Sequence, residues 1–312
     1  MDGLPQLSIV DAPHSFDAAA SQRTLKAAIG CTGIGLHTGQ RVSVTLRPAP
    51  AGTGIVFHRT DMGVFIPATF DRVADTRLCT VLASASRPDV RVGTVEHLLA
   101  AFAGLGIHNA VVELDGPEVP VLDGSAAPWV FLLDCAGAVA QAAPVRVIEV
   151  LRPVRVGTDD AFAELRPGLG SLDLAVGIEF AAPAIGRQAL TLALSEQAFR
   201  GVLQSARTFT QAHEIEGLRA AGLARGGSLD NAVVVDGDRV LNPGGLRMAD
   251  EFVRHKALDA VGDLSLAGGV LCARFVGHRS GHALNNQVLR ALFADSANWR
   301  EAGGFGAVLQ AA

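Results

Sequence analysis

The chain has 312 residues, 49% of them apolar, a formal net charge of −5 and no basic block. That apolar content suffices for one large core or two ordinary ones, and the charge argues against a nucleic-acid backbone as partner. No apolar run reaches the roughly 18 residues of a membrane span, and no basic segment followed by an apolar core marks a secretory signal.

Residues 1–21 are weakly patterned and are expected to form a loose tail. Alternation then predicts strands at Leu25-Lys26-Ala27-Ala28-Ile29 and Val42-Ser43-Val44-Thr45-Leu46. Between them, Gly33-Ile34-Gly35-Leu36-His37-Thr38-Gly39 carries three glycines in seven residues. Such a segment is either an ordinary hairpin connection or a place of close backbone approach. It is not a phosphate-binding P-loop, since no Gly-Lys-Ser/Thr follows. Strand signals continue at residues 55–57, 64–66 and 80–82. Residues 94–102 read as a helix, with Thr94 as its N-cap and Gly104 and Gly106 as its stop. A strand at 110–114, a turn-rich segment at 117–125 and a helix at 126–133 follow. The Ala/Gly/Pro-rich stretch 136–144 reads as a connection between domains.

The second half opens with strands at 146–150, 154–156, 161–165 and 172–180, then a helix near 195–203. A short amphipathic helix at 211–221, the pair Gly226-Gly227 and an Asp-Gly hairpin over 233–241 come next. The strongest helix signal spans about 250–266. Phe252, Val253, Ala257, Leu258, Val261 and Leu264 recur near the helical period, and Gly268-Gly269 end it. A strand near 270–276 and a helix from about Ala283 close the chain. Both halves thus run strands first and helices after, which points to a duplicated α+β domain.

On the 250–266 helix, His255, Asp259 and Asp263 are each four residues apart and line one face. An imidazole and a carboxylate one turn apart can converge on one metal ion, as in the H-E-x-x-H spacing. A lone pair of this kind is as a rule a surface hydrogen bond or ion pair, but core-forming residues border this stripe. Lys256 projects about 100° away from it. In the earlier helix, Glu96 and His97 occupy the first turn, where the helix dipole alone would favour a Glu. The alternative makes His97 the third metal ligand and Glu96 a base for water activated at that metal. Cys31, Cys79, Cys135 and Cys272 form no CxxC pair. A structural zinc ribbon is therefore not expected, and the thiols read as reduced cysteines of a cytosolic protein.

Several segments match one family in order. They are Gly33-Ile34-Gly35-Leu36-His37-Thr38-Gly39, Thr94-Val95-Glu96-His97, Leu122-Asp123-Gly124-Ser125-Ala126-Ala127-Pro128, Ala206-Arg207-Thr208-Phe209, Phe252-Val253-Arg254-His255-Lys256-Ala257-Leu258-Asp259 and Ser280-Gly281-His282-Ala283-Leu284-Asn285-Asn286. As a set they resemble the UDP-3-O-acyl-N-acetylglucosamine deacetylase family, over roughly residues 23–295. The resemblance implies an α+β fold of two similar domains, each with helices layered against a sheet, and an active site in the cleft between them. The domains would span 22–140 and 141–312, with an insert at about 207–235.

It further implies a cytoplasmic amidohydrolase of lipid A biosynthesis that releases acetate from an acylated UDP-N-acetylglucosamine. One Zn2+ per chain (Fe2+ being the other candidate) would be held by His97, His255 and Asp259. Glu96 would be the general base, and His282 the general acid, oriented by Asp263. Thr208 would help hold the oxyanion, and Lys256 would be a neighbouring cation. Phe209, Leu36, Ile215, Gly227 and Arg279 would meet the substrate, the insert lining an apolar passage for the acyl chain. Arg146 and Arg279 are the candidates for the diphosphate. The expected partner is this small molecule, not nucleic acid or a membrane, and a monomer is expected. Thr210, Gln211 and Arg279 depart from the family's usual residues. A zinc amidase for another acylated amino sugar, or a non-catalytic sugar-nucleotide binder, are the competing readings.

Overall fold

The computed structural model describes residues 21–302; the expected N-terminal tail, but for Ser21, lies outside them. The chain is α+β in two similar units. In the first, β1 (Ile29–Ile34), β2 (Arg41–Pro48), β3 (Ile55–Arg59) and β4 (Val64–Pro67) precede helix α1 (Glu96–Gly104), strand β5 (Ala110–Leu114) and helix α2 (Ala127–Ala136). The sheet order is β1-β2-β5-β3-β4. Its one parallel pair is β3–β5. Alternation explains which face is covered: Val42, Val44 and Leu46 point inward while Arg41, Ser43 and Arg47 stay outside.

The second unit holds β6 (Val147–Val150), β7 (Val154–Gly157), β8 (Phe162–Pro167), β9 (Leu172–Glu179) and β10 (Arg187–Ala193). Helix α3 (Glu251–Ser265), β11 (Val270–His278), α4 (His282–Ala294) and β12 (Trp299–Ala302) follow. Strand β11 is the hub of this seven-stranded sheet. It pairs antiparallel with β8, and parallel with β6 and then β9. The order helix, strand, helix recurs in both units, as α1-β5-α2 and α3-β11-α4.

The two units meet through α1 against α3, and both helices are buried nearly all round. Only Ala103 of α1, and Arg254, Lys256 and Ser265 of α3, escape burial. Close approach is possible because position 262 is glycine. A Cβ there would sit on the carbonyl group of Glu96, well inside contact distance. The crossing therefore brings the first turn of α1 against the middle of α3.

Four local expectations need correction. Residues 138–144 are not a connection but a strand, Ala138–Pro144, paired antiparallel with Ser21–Leu25. Its small side chains carry little strand signal, and the partner lies far away in sequence. Leu25 accordingly ends a strand rather than starting one, and the next begins at Ile29. Thr94 is not a helix cap. It has φ of 54°, and its hydroxyl donates to Glu118 Oε1 at 2.8 Å instead. Strands β10 and β12 were not anticipated, and the 195–203 segment is a turn of α-helix (Glu196–Ala198) running into π-helix (Phe199–Leu203).

Candidate metal centre and active site

The α1–α3 crossing gathers His97, His255 and Asp259, all buried, with one ligand atom from each lying within 4.8 Å of the others. The two imidazoles meet edge to face at 5.0 Å between centroids. Asp259 Oδ1 lies 3.3 Å from His255 Nε2 and 3.6 Å from His97 Nε2. His255 Nδ1 is 3.0 Å from the Ala206 carbonyl, which can only accept, so that nitrogen carries the proton. His255 Nε2 is then a bare lone pair facing a carboxylate oxygen. Burial pushes the pKa of His255 down to about 4, against the pull of Asp259, so the ring is neutral at pH 7. Among the described residues Asp259 Oδ1 has no hydrogen-bond partner, although it is buried. Its other oxygen accepts from Lys256 Nζ at 3.0 Å. The His255 lone pair and the unpartnered Asp259 oxygen, with His97 Nε2 beside them, fit a cation, and the nitrogen and oxygen donors fit a borderline divalent metal. The Ala206 carbonyl and Lys256 act as the outer partners that orient such ligands.

Beside this cluster stands a second group. Glu96 Oε2 accepts the Thr80 backbone N–H at 3.1 Å, and Oε1 lies 3.8 Å from His282 Nε2. Burial raises the Glu96 pKa, with His282 and His97 pulling it back. His282 opens α4, and its Nδ1 is 2.8 Å from Asp263 Oδ2. That oxygen also accepts from Asn285 Nδ2 at 2.9 Å, and Asp263 Oδ1 accepts from Thr80 Oγ1 at 2.6 Å. A helix start disfavours a charged imidazole, whereas a carboxylate at 2.8 Å favours it. Burial lowers the His282 pKa, but the carboxylates of Asp263 and Glu96 outweigh that and hold it up to about 9. A carboxylate with a raised pKa and a protonated imidazole therefore face each other next to the cation-binding cluster, the pairing that general base and general acid chemistry needs.

Leu36, Thr208, Phe209, Ile215 and Gly227 all line one cavity of about 310 Å³ whose wall is mostly apolar. Phe209 links it to the cluster, its ring 6.2 Å from that of His255 and 5.6 Å from Lys256 Nζ. The Thr208 backbone is fixed from both sides: its N–H donates to Gly124 O, and its carbonyl accepts from Val233 N, each at 2.8 Å. Gly124, at φ 84°, approaches the Asn231 carbonyl too closely for any side chain. Arg207, just before Thr208, forms a buried ion pair with Glu251, Nε to Oε1 at 2.8 Å. The Asp123-Gly124-Ser125 and Arg207-Thr208-Phe209 segments thus hold one another.

Arg279 does not join this group. It is exposed at the β11–α4 turn with φ of 47°, its backbone bonded to Gly177 O, and it is absent from the cavity wall. Arg146 is engaged elsewhere, with Glu301 at 3.0 Å and the Gly268 carbonyl at 3.1 Å. Sequence reasoning gave Thr80 and Asn285 no role, although Asn285 lies in one of the matched segments. Asn285 stands three residues after His282, one helical turn, which could have flagged it. Thr80 offered no signal, because its partners lie far along the chain.

A family model described as UDP-3-O-acyl N-acetylglycosamine deacetylase matches residues 22–294. The chain is 52% identical over 282 residues to the UDP-3-O-acyl-N-acetylglucosamine deacetylase of Phenylobacterium zucineum (strain HLK1), covering 89% of this chain and 95% of that one. It is 51% identical to the protein of the same description from Acidithiobacillus ferrooxidans (strain ATCC 53993 / BNL-5-31), over 89% of this chain and 91% of the relative. A Shewanella sp. (strain ANA-3) protein of that description is 50% identical with the same two coverages.

Proposed function

The chain belongs to the UDP-3-O-acyl N-acetylglycosamine deacetylase family, and on that premise we propose that it hydrolyses the N-acetyl amide of UDP-3-O-acyl-N-acetylglucosamine with one zinc ion. The reaction releases acetate and serves lipid A biosynthesis. The observation that carries the zinc reading is the unpartnered Asp259 Oδ1 facing the Nε2 atoms of His97 and His255. Zinc held by these three would polarise the amide carbonyl and make a water more acidic.

The chain's own residues supply the rest. Glu96 takes the proton of the attacking water on its carboxylate, which burial has made a stronger base than an exposed one. His282, protonated, gives a proton from Nε2 to the departing nitrogen as the C–N bond breaks. Asp263 holds the other face of that ring, and Thr80 and Asn285 hold Asp263. The Thr208 hydroxyl donates to the oxygen that becomes negative. Lys256 adds positive charge beside Asp259. Phe209 offers a flat face for the sugar, and the cavity behind it takes the acyl chain.

All of these groups come from one chain, which supports a monomer as the working unit. The four free cysteines suit a reducing compartment, which supports a cytoplasmic reading. No helix among the described residues is long and apolar enough to cross a membrane. The Glu96–His282 pair favours catalysis over mere binding, because a binder needs no base facing an acid. The test is acetate release by the purified protein from acylated and unacylated UDP-N-acetylglucosamine. Acetate should come far faster from the acylated compound. Glu96→Ala should lower the rate by about 10²–10⁴-fold while metal content stays intact. Loss of metal along with activity would make Glu96 a ligand instead.

A further inference from the structure

His37 takes no part in the mechanism above, yet its placement is costly. The ring is 9% exposed, lines the cavity beside Leu36, Thr208 and Phe209, and among the described residues neither ring nitrogen has a hydrogen-bond partner. Buried polar atoms are seldom left unpaired without a reason. The backbone around it is clamped on two sides. Glu118, buried, accepts the His37 N–H and the Thr38 N–H at 2.8 Å, the Thr38 hydroxyl at 2.7 Å and the Thr94 hydroxyl at 2.8 Å. On the other side Arg225 N donates to His37 O at 3.2 Å and Gly226 N to Leu36 O at 3.0 Å. Gly35 approaches Glu118 and Thr38 so closely that a Cβ would collide with both. Thr94 is held in the left-handed region to deliver its hydroxyl, a conformation that a β-branched residue resists. With four donors already on it, Glu118 has no need of the ring. The clamp fixes the backbone that carries this imidazole in the cavity wall, and both ring nitrogens stay unpaired among the described residues.

We propose that His37 recognises the ester linkage of the 3-O-acyl group, its ring N–H donating to the ester carbonyl oxygen at the mouth of the cavity. This rests on the function proposed above. In that substrate the acylated carbon adjoins the carbon that carries the acetamide. The ester carbonyl therefore lies a few bonds from the scissile amide, where the chain leaves the sugar for the apolar cavity. A carbonyl entering that junction gives up water, and it can only accept. Burial pushes the His37 pKa down, Glu118 pulling the other way, so the neutral ring presents one N–H donor at pH 7. His37 thus helps to set the preference for acylated substrate through the linkage, beyond what the apolar chain contributes.

The test compares the 3-O-acyl ester with a 3-O-alkyl ether of equal chain length, which lacks the carbonyl. Wild-type protein should favour the ester in kcat/KM by about 10-fold, as expected for one hydrogen bond in a desolvated site. His37→Leu should erase that preference, and His37→Gln, which keeps an N–H donor, should retain much of it. An ester-to-ether ratio left unchanged by His37→Leu overturns the proposal, as does a wild-type enzyme with no preference. Turnover of the ether by His37→Leu shows that the variant is folded. If that variant is inactive on both compounds, the wild-type ratio and the His37→Gln ratio decide. Failure of the wild-type protein to release acetate from either compound would instead refute the deacetylase reading itself.

Discussion

Thr80→Val isolates one link in the site. The substitution is nearly isosteric at a position that is 1% exposed, so packing changes little. It deletes the hydroxyl that donates to Asp263 Oδ1 at 2.6 Å and leaves the backbone N–H to Glu96 in place. The remaining side-chain donors to Asp263, His282 and Asn285, both bind Oδ2. Without the hydroxyl, Asp263 can turn about that side, and the His282 ring turns with it. A hydrogen bond to a charged group is worth about 1.5–3 kcal/mol. Expressed in positioning of the acid, that is roughly a 10- to 150-fold loss in kcat. KM should move little, since the interaction is made away from the cavity that binds the acyl chain. The assay is steady-state acetate release with metal content measured on the same samples. Thr80→Ser, which keeps the hydroxyl, should stay close to wild type. A Thr80→Val enzyme with wild-type kcat, or a Thr80→Ser enzyme equally impaired, would refute the reasoning.

Two further predictions probe the helix crossing and the proton chemistry. Gly262→Ala should destabilise the protein in urea, although alanine is the better helix former by about 1 kcal/mol. Its Cβ would overlap the Glu96 carbonyl group, and overpacking costs about 1–3 kcal/mol or more; a midpoint equal to wild type would mean that α1 and α3 can separate freely. For His282 the sign is set by its role, because an acid works only while protonated. With its pKa held up to about 9, wild-type kcat should fall as pH rises through that region, and the acid limb should report Glu96, raised by burial. His282→Ala should lower kcat and flatten the basic limb while keeping the acid limb; an unchanged basic limb would assign it to another group.

The legible parts of the site were the local ones. His255 and Asp259 are one helical turn apart, and Glu96 and His97 are adjacent, so their periodicity and spacing already suggested convergence. Asp263 and His282 became a pair only through the family resemblance. The Thr80–Asp263 bond spans 183 positions, and no local pattern records it. Thr94 shows how a local rule fails. A threonine before a helix usually caps it, but here Glu118, buried and needing donors, claims the hydroxyl. Residues 138–144 failed for the opposite reason. Small side chains give weak strand propensity, and pairing with Ser21–Leu25 imposes the conformation from outside. The strong signal at 250–266 predicted the helix, and the core-forming residues bordering its polar stripe argued against a plain solvated surface. In the fold α3 is buried on nearly every side, its polar stripe turned inward against α1.

The central claim is that His97, His255 and Asp259 share one metal ion. Elemental analysis of purified wild-type protein and the three single alanine variants, with acetate release measured before and after chelation, tests it most directly. The account predicts one divalent ion per wild-type chain, loss of that ion in each variant, and activity that falls on chelation and returns with zinc. Full metal content in all three variants, or undiminished activity in metal-free protein, would contradict it.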